Sequence, residues 1–287
     1  MTAAATSCRT CGSENTARLG RLPDVDLFAG KRLDAPLAGG FLQTCRDCGF
    51  VFRAPILSDA EYMALYAGGG TEVWEQNLDR EDFRRVRAAV PDKPLDVLDV
   101  GCYTGQLLAT LPAACRRYGV EPNPGAAALA ASRGIEIVAQ HWDELDATAR
   151  HYDIVIACDV IEHVPNPLAF LKTLSARLKP AGQLIITTGN AQAWPWRLAR
   201  ARFWYCYFPE HISFVGPNWL RRMAPSTGLR VQRLEPFSHS PLPGLPARAK
   251  ALLATCGWMM AAPVASGARL LGGGIAKDHL FCVLGKG

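Results

Sequence analysis

What this chain lacks narrows it first. No basic stretch runs into an apolar one over Met1 to Ser7, so no secretory leader is expected. No run matches the roughly 20 strongly apolar residues of a membrane span. The charge-free stretch Ala251 to Ala268 has 18 residues, is rich in Ala and Gly, and contains Pro263. Acids are scarce between Ala191 and Lys250, where Glu210 and Glu235 face nine basic residues, a local charge of +7 in a chain of +5 overall. Such a segment is either a solvated face or a footprint for an anionic partner, and a nucleotide sugar, a lipid pyrophosphate, a membrane surface and RNA all qualify. An apolar content of 49% with 20% charge excludes a disordered chain, and 287 residues suffice for one sizeable domain plus a small one.

Cysteine is not lacking: there are ten. Six of them (Cys102, Cys115, Cys158, Cys206, Cys256, Cys282) sit in apolar or strand-like stretches and read as reduced, mostly buried thiols. The other four form Cys8-Arg9-Thr10-Cys11-Gly12 and Cys45-Arg46-Asp47-Cys48-Gly49. Two residues between thiolates let both point at one ion, and the glycine relieves the turn behind them. Two such knuckles supply a tetrahedron of sulfur that suits a structural Zn²⁺, with no open position for catalysis. Iron fits the same ligands. Between the knuckles the chain is rich in Gly, Pro and charge, so a metal staple is expected to stabilise residues 1–57 as a zinc-binding subdomain.

The rest is organised around Val97-Leu98-Asp99-Val100-Gly101-Cys102-Tyr103-Thr104-Gly105. An apolar run carries an acid, then turns through glycines into a helical segment, as an α/β sheet does where it meets a nucleotide-like ligand. Tyr118-Gly119-Val120-Glu121-Pro122 ends a second strand in an acid 22 residues after Asp99, where a carboxylate can accept ribose hydroxyls. Tyr152 to Cys158 reads as a buried strand running into Asp159-Val160-Ile161-Glu162-His163-Val164-Pro165, and Leu178 to Thr188 as a helix end, a turn and a fifth strand. Strands at 95–100, 116–121 and 135–139 alternate with helices at 105–111 and 124–133, which predicts a parallel sheet covered on both faces.

In this order the motifs resemble the class I S-adenosylmethionine (SAM) dependent methyltransferase family, over roughly residues 93–287. The resemblance implies an α/β, Rossmann-like, seven-stranded sheet with helices on both faces, beside a small zinc-ribbon-like N-terminal unit. It implies that Asp99, Gly101, Cys102, Tyr103 and Gly105 hold the methionine end of the cofactor, and that Glu121 and Pro122 meet the ribose. Trp142 and Asp143 would meet the adenine, with Cys158 beside them. Tyr103 departs from the pattern, since many members have a third glycine there, and it fits if its side chain points away from the cofactor. The two knuckles resemble the zinc-binding domain attached to some sugar methyltransferases, including deoxysugar C-methyltransferases.

Residues 58–92 read as a helical lead-in with Ser58 as its cap, a face of Tyr62, Leu65 and Tyr66, and a break at Gly68-Gly69-Gly70 before Trp74. The insertion 191–216, dense in aromatics and arginine, would build the acceptor pocket. His211 is the leading general base, loosely matched with Tyr207 and Glu210 to the family's Tyr/Glu/His cluster, and His163 is the other candidate. Pro217 to Thr227 reads as a helix closed by Gly228, and 229–234 and 279–284 as the last strands. The apolar insertion 241–274 is expected to form an amphipathic helix pair that packs on the domain, dimerises or lies on a membrane surface, because a single pass would strand the final strand across the bilayer.

The expected activity is methyl transfer by direct displacement to a small polar, anionic acceptor, a sugar in nucleotide-linked or glycan form, in the cytoplasm or at the membrane's inner face. The rivals are an RNA methyltransferase that grips nucleic acid with its knuckle, a SAM-binding scaffold without turnover, and a Rossmann-like domain for another nucleotide. No basic cluster surrounds the knuckles, which argues against nucleic acid.

Overall fold

The computed structural model describes residues 7–67, 79–147, 149–239, 244–261 and 276–287, the helical stretch 255–261 by its backbone. The cysteine-bearing part opens with β1 (Thr16–Arg21), the hairpin β2 (Val25–Phe28) and β3 (Lys31–Leu37), then β4 (Phe41–Cys45) and β5 (Val51–Ala54). Both knuckle glycines have left-handed backbone, Gly12 at φ 73° and Gly49 at φ 78°, where a Cβ would be strained. Their amides close matched turns on Cys8 O (2.8 Å) and Cys45 O (2.9 Å).

The lead-in supplies α1 (Asp59–Ala67) and α2 (Glu81–Ala89). Ser58 and Glu61 form a capping box: Glu61 N donates to Ser58 Oγ (3.3 Å) and Ser58 N to Glu61 Oε2 (2.8 Å). Tyr62, Leu65 and Tyr66 share a face that packs on Phe28 and Ile212. Gly68 to Gly70 and Trp74 lie outside the described residues.

From β6 (Asp96–Val100) the chain alternates through α3 (Gln106–Ala109), β7 (Arg116–Val120), α4 (Pro124–Ser132), β8 (Glu136–Ala139), β9 (Tyr152–Cys158), α5 (Pro167–Ala176) and β10 (Leu178–Gly189). Asn123 and Asn166 cap α4 and α5, each followed by proline at the first helical position. The acceptor-side segment adds α6 (Trp194–Ala199), two 3₁₀ turns and β11 (Ser213–Phe214). Then follow α7 (Pro217–Met223), β12 (Leu229–Phe237), α8 (Leu245–Ala261) and β13 (His279–Lys286). A 3₁₀ turn at Ala224–Thr227 replaces the end of the helix expected to run to Thr227, because Pro225 cannot donate to the α-helical ladder, and Gly228 closes it at φ 76°.

The main sheet has the order β12-β13-β10-β9-β6-β7-β8, with β13 antiparallel to both neighbours and β6 to β10 parallel. Every residue of β6 is buried, as expected of a central strand covered on both faces. The fifth strand starts earlier than the expected turn allowed. β10 runs through Pro180 and absorbs Ala181 (φ 59°) in an irregularity between Leu178 and Gln183, so the turn signal marks a bulge.

The cysteine part shares its core with the main sheet. Cys8, Phe50 and Phe52 belong to one cluster with Val155, Leu184 and Trp219. β11 pairs antiparallel with β5 (Ser213↔Phe52, Phe214↔Val51) and completes a four-stranded sheet of order β1-β4-β5-β11. Of the expected apolar helix pair, α8 is described. Its Ala251 packs against the Trp196 and Phe203 cluster, while Leu245 and Leu253 are exposed. Among the described residues no helix is long and apolar enough to cross a membrane.

Candidate active site

A cleft of about 580 Å³ opens at the C-terminal ends of β6, β7, β8 and β9. The turn after β6 builds its floor. Gly101 (φ 76°) and Gly105 (φ 77°) flank Tyr103, which itself sits at φ 49°. A Cβ on Gly105 would fall 2.1 Å from Ile135 Cδ1, so this glycine is required by packing as well as by its backbone. Tyr103 takes the left-handed conformation glycine would take freely, a strain of about 1 kcal/mol, and it lines the cleft.

Glu121 stands at the end of β7. Its carboxylate accepts from Tyr103 N (2.8 Å) and Asn123 N (2.9 Å), which fixes it at the cleft wall. Asp99 is buried nearby, its carboxyl pushed well up by burial and by the charge of Glu121. Cys102, Pro122, Trp142, Asp143 and Cys158 also line the cleft. Trp142 stands edge-on to Phe170 (5.4 Å), and its Nε1 is a buried donor without a partner among the described residues. Glycine turn, acid-tipped strands, an indole wall and an unmet donor together fit a nucleoside-bearing cofactor.

The acceptor side brings the two candidate histidines together, ring centroids 4.9 Å apart. His211 is buried, and its Nδ1 lies 2.9 Å from the Tyr205 carbonyl. A carbonyl only accepts, so Nδ1 carries the proton and Nε2 is left as an acceptor. Burial, with His163 next, holds the His211 pKa well below the ordinary value, so this imidazole is neutral near pH 7. His163 is brought down to about 4 by burial, and its Nδ1 meets Tyr66 Oη (2.9 Å) and Glu210 O (3.1 Å).

Two of the expected cluster members stand elsewhere. Tyr207 is half-buried, and Glu210 is buried with one carboxyl oxygen unpartnered among the described residues; neither lines the cleft. Tyr205 takes the inward place: in the 3₁₀ turn Trp204–Tyr207, Tyr205 and Cys206 are buried and Tyr207 is not. Its hydroxyl donates to the buried Glu162, which also accepts from Thr188 Oγ1 (2.9 Å). The sequence reading also missed Arg80, Asp159, His239 and His279, which line the cleft. Arg80 bridges Asp82 (2.7 Å) and Asp159 (2.5 Å), and Asp159 at the end of β9 has φ 52°. A non-glycine residue strained at a strand end was the available signal, but it shows only in the backbone. The arginines of the insertion lie outward: Arg197 and Arg200 are exposed, and neither they nor Arg202 line the cleft. Among the described residues Arg80 is the one arginine or lysine in the lining.

The four knuckle sulfurs lie within 4.8 Å of one another, with Cys8–Cys48 and Cys11–Cys45 at 3.6 Å. Metal–sulfur bonds of about 2.3 Å in a tetrahedron would put sulfurs about 3.8 Å apart, so the donor set fits one ion.

Two expectations follow from these contacts. Glu121→Ala removes a charged acceptor from the cofactor wall, so SAM should bind about 10- to 100-fold more weakly by calorimetry; an unchanged affinity would take Glu121 off the cofactor. Burial, with Asp159 next, raises the Glu162 pKa to about 8. The folded state therefore keeps a proton that the unfolded chain releases near pH 4.3. That contribution to stability is full at low pH and is lost as pH rises toward 8. His163 and His211 oppose it only below about pH 6.5, so Tm should fall between pH 6.5 and 8.5. Asp99, Glu210 and His279, also raised, act in the same direction, so Glu162→Gln should make that limb shallower rather than abolish it, and a limb of unchanged slope in the variant would take Glu162 out of it.

A sheet of seven strands with one reversed, acids at the tips of its first two parallel strands and a glycine turn beneath them define a class I SAM-dependent methyltransferase. Comparison with known proteins agrees, and the chain belongs to the methyltransferase domain family, whose pattern matches residues 67–234. It is 30% identical over 169 residues to the ubiquinone biosynthesis O-methyltransferase of Parvibaculum lavamentivorans, covering 54% of this chain and 67% of that one. The namesake from Aeromonas salmonicida is 28% identical over 163 residues, 51% of this chain and 67% of that one. In fold it is similar to the N-methyltransferase NodS of Bradyrhizobium japonicum, solved with S-adenosyl-L-homocysteine (SAH), at TM-score 0.50 and 14% identity over 79% of this chain and 97% of that one.

Proposed function

We propose that this enzyme methylates a hydroxyl-bearing ring, a sugar in nucleotide-linked or glycan form, with His211 as general base and a structural zinc ion in the knuckles. The observation that carries the base assignment is the His211 imidazole, neutral, fixed through Nδ1 and lining the cleft. When bound, SAM supplies a methyl group on a sulfonium, already a good leaving group. Gly101 and Gly105 shape the turn, Asp99 offers a carboxyl and Glu121 a carboxylate, and Trp142 offers an apolar face. His211 Nε2 takes the proton from the acceptor hydroxyl, or from carbon where an enolate must form first. The Tyr66–His163–Glu210 contacts keep the second imidazole beside it. The sugar reading leans on the resemblance of the knuckles and the histidine cluster to sugar methyltransferases.

A phenolic acceptor is the second reading. It is favoured by a lining in which aromatics abound and the single guanidinium is already paired, and by relatives named for ubiquinone biosynthesis. The test is methyl-labelled SAM with a cell extract split into nucleotide-sugar, lipid-linked glycan, quinone-precursor, RNA and protein fractions. Label in a sugar fraction supports the proposal. Label in the quinone fraction replaces the acceptor, and label in RNA makes the +7 segment a nucleic-acid footprint. SAM binding with no label in any fraction points to a scaffold or to an acceptor absent from the extract.

A further inference from the structure

Arg9 stands between the two thiols of the first knuckle, where ligation of an ion asks nothing of its side chain. Arg46, at the matching place in the second knuckle, is exposed. Arg9 instead donates to three carbonyls, one on β5 and two on the segments that carry the cleft's imidazoles. Its Nε donates to Pro165 O (2.8 Å), its Nη2 to Ile212 O (2.7 Å) and its Nη1 to Arg53 O (2.9 Å). Pro165 is two residues beyond His163, and Ile212 directly follows His211. One guanidinium thus grips both segments that carry the cleft's imidazoles.

Arg53, on β5, grips the same segment from inside. It is buried, and it donates to the carbonyls of Gly39 (2.7 Å), Cys206 (2.7 Å), Phe208 (3.2 Å) and His211 (3.3 Å). Neither guanidinium forms an ion pair among the described residues. Burying a cation on neutral carbonyls is expensive compared with burying an apolar side chain. The planar fork gains in return a fixed geometry, since N–H groups held in one plane and aimed at three carbonyls by Arg9 and four by Arg53 leave the gripped backbone little freedom. The β5–β11 pairing and the bonds from Ile212 N to Glu162 O (2.9 Å) and Ser213 Oγ to Val164 O (2.6 Å) clamp the same strip.

We propose that the metal knuckle positions the acceptor side of the cleft. Arg9, seconded by Arg53, ties the segments bearing His163 and His211 to the cysteine sheet, so loading the four sulfurs sets where the two imidazoles point. Both arginines are positioning residues. The inference rests on the metal and histidine readings above, but its readout needs no acceptor.

The experiment uses the full-length, zinc-loaded protein with ¹⁵N-labelled histidine, and SAH as the cleft probe in calorimetry. In the wild type the His211 ring should show a protonated Nδ1 and a bare Nε2. Arg9→Ala should keep its zinc and bind SAH within about twofold of wild type, yet give His163 and His211 signals that average between tautomers. Arg9→Lys, whose ammonium reaches one carbonyl, should restore part of the wild-type pattern, and Arg46→Ala should change nothing. Removing zinc with a chelator should reproduce the Arg9→Ala spectrum while SAH still binds. Unchanged imidazole signals in Arg9→Ala would overturn the proposal. So would a parallel loss of SAH affinity, which would make Arg9 a prop of the whole domain. A wild-type protein that binds no SAH would sink the methyltransferase reading instead, with the imidazole comparison still deciding this one.

Discussion

His211→Ala is expected to slow methyl transfer by about 10²- to 10⁴-fold, the range a positioned general base supplies, while SAM binds as before. Single-turnover transfer to the labelled acceptor fraction measures the first quantity and calorimetry the second. The size follows from the state of the ring. Its Nδ1 proton is committed to the Tyr205 carbonyl and burial keeps the ring neutral, so Nε2 is an available base near pH 7. The acid limb of the rate profile should accordingly lie well below pH 6.5. His211→Gln, which keeps a polar group in the same space, separates lost chemistry from lost packing against Tyr205 and Phe208. Unchanged turnover in both variants would remove His211 from the reaction and leave His163 as the candidate.

Stripping the metal should have the largest effect on stability. Cys8, Cys45 and Cys48 lie in the same core as β9 and β10, so their release loosens more than the N-terminal strands. Structural zinc sites contribute folding energy outright, and in a chain of this size each kcal/mol moves Tm by about 2–4 °C. Chelation, or Cys45→Ser, should lower Tm by about 10 °C or more by calorimetry, with one metal equivalent lost by mass spectrometry. A Tm indifferent to chelation would show that the four sulfurs stand together without an ion. The same metal analysis decides between zinc and iron.

The sequence made the cofactor side of this protein legible and the acceptor side much less so. Asp99 and Glu121 stand at the C-terminal ends of β6 and β7, Gly101 and Gly105 lie in the glycine turn that follows β6, and the observed β6, β7 and β9 match the expected spans to within a residue. The knuckles were equally readable, because thiolate spacing is local. The strands between them were not. β1 and β3 mix charged and small residues with few apolar ones, and only β4 and β5 bury most of what they carry. Tyr205 was indistinguishable from Tyr207 in an aromatic run with no periodicity, and the 3₁₀ turn that separates them is not a sequence pattern. Arg9 and Arg53 were invisible for another reason: their partners are main-chain carbonyls, which every residue owns.

The two-residue strand β11 carries a consequence for how this chain can be cut, swapped or synthesised. The sheet built on the cysteines has one outer strand encoded more than 150 residues later, at Ser213–Phe214. As the chain leaves a ribosome, the cysteine-bearing end stays one strand short until the catalytic half is mostly made, an entropic cost of loop closure that local elements avoid. A graft of residues 1–57 onto another enzyme would carry an open sheet edge with it, and such an edge is a template for association. A transplantable unit must therefore be taken in two pieces, the N-terminal stretch together with the strip around residues 205–215.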